Sequence, residues 1–121
     1  MITLNLQTAG GRTAFAPGER VEGTASWFSD EGVRSLDVRL FWYTDRGGAQ
    51  DTGVVGSEVI EAPGSQGSRS FAFTLPQKPL SYSGRLFDIR WALELVALPS
   101  GEAARADLVV SPTGRPLEPP G

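Results

Sequence analysis

The chain contains neither cysteine nor histidine. Their absence excludes disulfides, thiolate nucleophiles, the usual zinc sites and acid–base catalysis by imidazole. Eleven basic residues against fourteen acidic ones give a formal net charge of −3, whereas domains that bind nucleic acid usually carry a basic surplus. No apolar run approaches the roughly 20 residues that a membrane-spanning helix needs. We therefore expect no nucleic-acid partner and no membrane insertion.

The first residues, MITLNLQT, alternate apolar and polar side chains. They lack the basic region and the apolar run of a signal peptide. The sequence therefore predicts a cytoplasmic protein.

Few groups in the chain are suited to catalysis or to metal binding. Lys78 lies near Ser81 and Ser83, but a Ser–Lys pair needs a buried amine with a lowered pKa, so a solvated loop lysine is the simpler interpretation. Nothing singles out a carboxylate pair for glycoside hydrolysis. The loop of residues 45–51 lacks the acid pattern of a calcium loop and the Lys-Ser/Thr ending of a phosphate loop. We expect a hairpin loop there, and no enzyme activity, catalytic residue, metal or cofactor.

Glycine (15) and proline (9) are frequent and punctuate the chain, which is typical of short strands joined by turns. Apolar and polar residues alternate with a period of two in nearly every segment. This alternation predicts strands over residues 2–7, 20–29, 34–44, 52–61, 71–75, 85–98 and 103–111. About seven antiparallel strands at this spacing predict an all-β, immunoglobulin-like sandwich of two sheets.

Residues 1–111 are predicted to form this single domain, with Trp27, Trp42 and Trp91 in its interior. Residues 76–84 are too long for a close hairpin and are predicted to cross from one sheet to the other. Residues 112–121 carry prolines at positions 112, 116, 119 and 120 and few apolar side chains. They are predicted to form a flexible tail.

The outward faces of two strands carry aromatic residues. Phe41 and Tyr43 point away from the predicted core on the third strand, and Phe28 does so on the second. If the two strands are neighbours, these side chains form an exposed patch of the kind that binds a protein partner. The alternatives are that loops or the tail cover the patch, or that the strand phase is shifted by one residue.

A set of charged residues accompanies this patch. Arg39 lies on the same face as Phe41 and is a further candidate for partner binding. Arg39 and Asp37 are predicted to pair across strands with Asp88 and Arg90, as a solvated charge ladder.

Several phrases in sequence order resemble the N-terminal domain of arrestins. Residues 15–23 (FAPGERVEG) resemble the opening PGE-x-V-x-G, and residues 36–44 (LDVRLFWYT) resemble the strand that follows. Residues 71–76 (FAFTLP), 79–84 (PLSYSG) and 89–93 (IRWAL) resemble the stretch F-x-F-x-LP, P-x-SY-x-G and I-x-W-x-L. The resemblance covers about residues 2–111 and is nearest to the single-domain arrestin-like proteins of bacteria and archaea.

The resemblance implies an arrestin-type sandwich that acts as a non-catalytic adaptor or scaffold for a protein partner of unknown identity. In such a fold the PGE turn sets a hairpin and Gly23 lets two backbones approach. Exposed edge strands would allow strand addition or homo-oligomer formation. The basic pairs that sense phosphorylated receptors in eukaryotic arrestins are not recognisable, so phosphate sensing is not expected. The alternative is a sandwich that binds carbohydrate or a small molecule with a tryptophan or tyrosine as the platform, which substitution of Trp27 or Trp42 would test.

Overall fold

The computed structural model describes residues 1–48 and 50–120. Ala49 and Gly121, which belong to the predicted 45–51 loop and to the predicted tail, lie outside the described residues. The strands are β1 Ile2–Thr8, β2 Ala14–Phe15, β3 Arg20–Ser29, β4 Ser35–Asp45, β5 Thr52–Glu61, β6 Gln66–Thr74, β7 Tyr82–Ser83, β8 Asp88–Leu98 and β9 Ala103–Val110. A short 3-10 turn, Ala9–Gly11, follows β1.

The strands form two sheets of unequal size. The small sheet has the order β1-β3-β6, and the large sheet has the order β2-β9-β8-β4-β5, with β7 also paired to β8. All pairs are antiparallel except β2 with β9. The all-β, two-sheet sandwich predicted from the alternation is therefore confirmed. Because β6 and β8 belong to different sheets, the predicted crossing by residues 76–84 is also confirmed.

The interior is filled by the inward-facing row of each strand. Trp91 is fully buried in the large sheet and Trp27 is 9% exposed in the small one. Each indole N–H donates to a loop carbonyl, from Trp27 to Pro63 at 3.1 Å and from Trp91 to Pro79 at 3.0 Å. Burial of an indole needs such a partner for its N–H, so these two loops are held by the core.

The turn at Pro17-Gly18 has the predicted chemistry but joins different strands. Gly18 has a φ of 81°, and the Glu19 N–H donates to the Ala16 carbonyl at 3.1 Å, as in a type II turn. The strands on either side, β2 and β3, belong to different sheets. The predicted hairpin is therefore wrong, and the turn carries the chain across the sandwich.

Two predicted strands begin three or more residues away from their limits in the structure, whereas the others agree to within one residue. Strand β6 begins at Gln66 rather than at residue 71, because its polar half pairs with β3 as an exposed edge. Strand β8 begins at Asp88 rather than at residue 85. Residues 85–87 form a turn instead, in which the Gly84 N–H donates to the Phe87 carbonyl at 3.1 Å. The two-residue strands β2 and β7 are too short to show an alternation.

The C-terminal segment is hydrogen-bonded to β7. The Leu117 N–H donates to Ser81 O at 2.8 Å, and the Ser83 N–H donates to Leu117 O at 2.7 Å. Leu117 therefore adds a short parallel bridge beside Tyr82. The sequence predicts a flexible tail here because it offers few apolar residues, whereas these contacts are made by the backbone.

Candidate functional site

The outer face of β4 carries three of the predicted partner-binding residues. Arg39, Phe41 and Tyr43 share this face, as the alternation predicts. The Arg105 guanidinium of β9 lies over the two rings, 5.3 Å from the Phe41 centroid and 5.2 Å from that of Tyr43. Phe41 is consequently only 7% exposed. Tyr43 is half-buried, so this part of the patch is covered by a cation rather than open.

Phe28 lies on the other side of the molecule. It is 46% exposed on the outer face of β3, whose neighbours are β1 and β6. Strand β4 pairs instead with β5 and β8. The prediction that Phe28 joins Phe41 and Tyr43 in one patch is therefore wrong, because the two strands belong to different sheets.

The predicted charge ladder is also wrong, because the strand register places its members apart. Arg39 lies opposite Glu94 of β8 and pairs with Asp37 on its own strand, at 2.7 Å from Nε to Oδ2. Asp88 and Arg90 lie opposite Asp45 and Tyr43. Asp37 is 8% exposed, and its Oδ1 has no hydrogen-bond partner among the described residues.

A cluster that sequence reasoning missed forms where β8 begins. The Arg46 guanidinium donates to both carboxylate oxygens of Asp88, at 3.0 Å and 2.7 Å, and to Gly84 O at 2.5 Å. Arg90 bridges Asp88 at 3.0 Å and Asp45 at 3.2 Å. These bonds, those from Arg46 first, hold the pKa of the Asp88 carboxyl well below its usual range. The cluster ties the β4–β5 loop to the turn before β8.

A cavity of about 930 Å³ opens beside this cluster, at the end of the sandwich. Its walls are mostly apolar, with two charged side chains. The lining residues are Trp42, Thr44, Gly47, Gly48, Asp51, Lys78, Pro79, Leu86, Phe87 and Ile89. Trp42 is half-buried, and it is the one tryptophan among these residues.

Gly53 determines where the Trp42 indole can lie. It is paired with Trp42 across the β4–β5 ladder. A Cβ on Gly53 would overlap the indole, with Cζ2 only 2.8 Å away. Because Gly53 has no side chain, the indole ring can lie over β5 at the wall of the cavity.

Strand β5 is a free edge of the large sheet, since its only partner among the described strands is β4. Two of its four apolar residues face outwards. Val54 and Val59 are 58% and 53% exposed, and they lie opposite Phe41 and Asp37 on the outer face. The inward positions hold mainly small or charged residues, namely Gly53, Gly56 and Glu58, with only Ile60 buried.

The remaining residues considered for chemistry have structural contacts. The Ser81 hydroxyl accepts the Val110 N–H at 2.8 Å and is buried, while Lys78 is exposed. Across the part of the chain that the structure describes, no group of three acidic side chains is placed to hold a metal ion. Within residues 1–48 and 50–120, no helix is long and apolar enough to cross a membrane.

No family model and no curated protein matches the sequence. Among solved structures, the chain is similar to Spo0M, the sporulation control protein of Bacillus subtilis. The TM-score is 0.56 with 19% sequence identity, over 91% of this chain and 48% of that one. The chain thus spans about half the length of this neighbour. At this identity the similarity concerns the fold alone, and it supports an arrestin-like fold at the level of structure.

Proposed function

We propose that the chain is a non-catalytic protein-interaction module of the arrestin-like family, an adaptor or scaffold in the cytoplasm of a bacterium. The observation that carries this proposal is the inverted pattern of β5. This edge strand turns Val54 and Val59 to solvent while Gly56 and Glu58 face the sandwich. Valine suits any strand, but exposed valines on an unpaired edge also make a template for another strand.

The backbone of β5 presents free hydrogen-bonding groups along this edge. The Ala62 N–H donates to Arg34 O at 3.3 Å. In an antiparallel ladder every second residue of a strand bonds to its partner strand. Residues 60, 58 and 56 therefore bond to β4. The N–H and C=O groups of Ser57, Val59 and Glu61 point away from it. An extended peptide added along this side would find both donors and apolar side chains.

The charges of the strand favour one kind of partner. Glu58 and Glu61 are its only charged residues, and both are exposed. A second copy of β5 would add the same negative charges, whereas a strand with lysine or arginine at its ends would complement them. We therefore favour a basic, apolar partner segment, with self-association as the other outcome of the test.

A proline at position 59 tests the edge. Val59→Pro removes an N–H that points to the free side and leaves the bonds to β4 in place. Val59→Thr, the matched control, keeps the N–H and a β-branched side chain. Solution mass and capture of candidate basic peptides are measured for both variants. We expect Val59→Pro to lose self-association or peptide binding and Val59→Thr to keep it. Equal behaviour of the two variants would contradict the proposal.

The second candidate function, binding of a carbohydrate or small molecule, is favoured by the position of Trp42. Trp27 and Trp91 are buried, so Trp42 is the platform that a ligand in the cavity could reach. Saturable binding that Trp42→Ala abolishes, and that Val59→Pro leaves unchanged, would support this function over the first.

A further inference from the structure

The cavity at the end of the sandwich results from the difference in length between the two sheets. Phe73, next to the last residue of β6, packs against Gly56, which pairs with Leu40. Trp42 and Thr44 lie further along β4 and therefore extend beyond the end of the small sheet. The segment that crosses between the sheets covers this overhang only in part, so part of the inner face of the large sheet stays open.

The turn at the mouth of the cavity exposes apolar surface. Leu86 is 81% exposed and Phe87 is 38% exposed, although both line the cavity. The Phe87 ring is held against Tyr82, with 5.6 Å between centroids. Large apolar side chains that are open to water beside an apolar cavity mark a binding site, because a ligand would cover them and the Trp42 indole together.

Two basic side chains lie at or beside the mouth of the cavity. Lys78 lines the cavity, and Arg85 is exposed on the same turn as Leu86. Neither makes an ion pair with a residue that the structure describes. Arg46, by contrast, is held by Asp88. The lining itself carries one cation, Lys78, and one carboxylate, Asp51, while Arg85 lies beside it, next to Leu86 in the chain.

We propose that this cavity binds an amphiphilic anion, with its chain or ring against Trp42 and Leu86 and its acidic head at Lys78. The volume of about 930 Å³ lies within the range of small-molecule sites, roughly 300–1,000 Å³. The Asp51 carboxylate repels the head and directs it to the side of Lys78. The proposal rests on the second candidate function and is independent of the β5 edge.

The first test measures decanoate binding through the displacement of bound anilinonaphthalene sulfonate. Lys78→Gln should raise the dissociation constant of decanoate about three- to fivefold, the value of one exposed charge. Asp51→Asn should lower it by a similar factor. Arg69→Gln, which removes an exposed charge on β6, is the control and should change nothing. Equal effects of Lys78→Gln and Arg69→Gln, or weaker binding in Asp51→Asn, would overturn the proposal.

The apolar part of the site is tested separately. Leu86→Ser should weaken decanoate binding about tenfold, because part of a leucine side chain is no longer buried. Leu98→Ser removes an exposed leucine at the opposite end of β8 and should have no effect. Decanol, the neutral analogue, should bind more weakly than decanoate. Equal binding of the two would overturn the acidic-head assignment.

Two further comparisons distinguish the possible sources of the ligand and distinguish this inference from the second candidate function. Vesicles containing phosphatidylglycerol, compared with pure phosphatidylcholine, distinguish a membrane lipid from a free acid, and decanoate should compete in the first case. If neutral sugars bind in a Trp42-dependent way and decanoate does not, this inference fails while the second candidate function stands. If neither binds, both fail.

Discussion

Gly23 is the position where one methyl group should change stability most. It lies on the inner face of β3, opposite Thr8 of β1 and Phe71 of β6. A Cβ there would overlap the backbone oxygen of Gln7 and would lie 2.5 Å from Phe71 Cζ. An ordinary contact begins near 3.4 Å, so the ring must move by 3.4 − 2.5 = 0.9 Å. Phe71 is 4% exposed and belongs to the buried core, so moving its ring disturbs the packing.

Gly23→Ala should therefore destabilise the fold by about 3 kcal/mol, the upper end of typical overpacking. On the side of β1 the added Cβ meets the backbone oxygen of Gln7, so the end of β1 must move away from β3. Against a total stability of about 5–15 kcal/mol for a domain of this size, the loss is large. The melting temperature should fall by about 12 °C, at roughly 4 °C per kcal/mol.

Urea unfolding followed by tryptophan fluorescence measures this loss, and Gly48→Ala provides the matched control. A Cβ at Gly48 meets nothing within 4 Å, and the residue has no positive φ. Both variants remove the same freedom from the unfolded chain, so their difference isolates the steric effect. A free energy of unfolding for Gly23→Ala within about 0.5 kcal/mol of that for Gly48→Ala would refute the close approach of β1 and β3.

Two further predictions concern the site residues. Arg46 holds the pKa of Asp88 below its usual range, so the ionised carboxylate stabilises the fold above the unfolded pKa, about 4, and this contribution is lost as the pH falls below it. Arg46→Gln should lower the free energy of unfolding at pH 7 and reduce the further decrease below about pH 4. Urea unfolding at a series of pH values measures this. An unchanged decrease below about pH 4 in the variant would contradict it. Phe41→Ala should cost about 3 kcal/mol, since the ring is packed under Arg105, and Phe28→Ala less than about 1 kcal/mol. Equal thermal stability of these two variants would disprove the difference in burial.

The strands and the fold class could be predicted because each strand buries one face. On β3, the alternation places Val21, Ala25 and Trp27 inside, as an alternating pattern requires. The close approach at Gly23 could also be predicted, since no other residue fits between two backbones. The half of β6 that precedes residue 71 could not, because it is an exposed edge and has no apolar alternation to detect.

The outer-face patch could be predicted from the sequence only in part. The phase of Phe28 and Phe41 is correct, but phase does not tell which strands are neighbours or in what register. Arg105 is 64 positions from Phe41 in sequence and still covers its ring. The Arg46–Asp88 pair joins a loop residue with positive φ to the start of another strand. No periodic signal reports such a contact, because it depends on how loops meet at the end of a sandwich.

Both proposed sites follow from the unequal sizes of the two sheets. Three strands cannot cover the inner face of the larger sheet, so positions on β5 need no core residue and hold Gly53, Gly56 and Glu58 instead. The glycines let Trp42 and Phe73 lie against the strand, which fixes one wall of the cavity. The same strand then turns two of its valines outwards at a free edge. Added volume at Gly53 should therefore displace Trp42 and disturb the cavity while leaving the outer edge of β5 in place, so the two functions are separable by mutation within one strand.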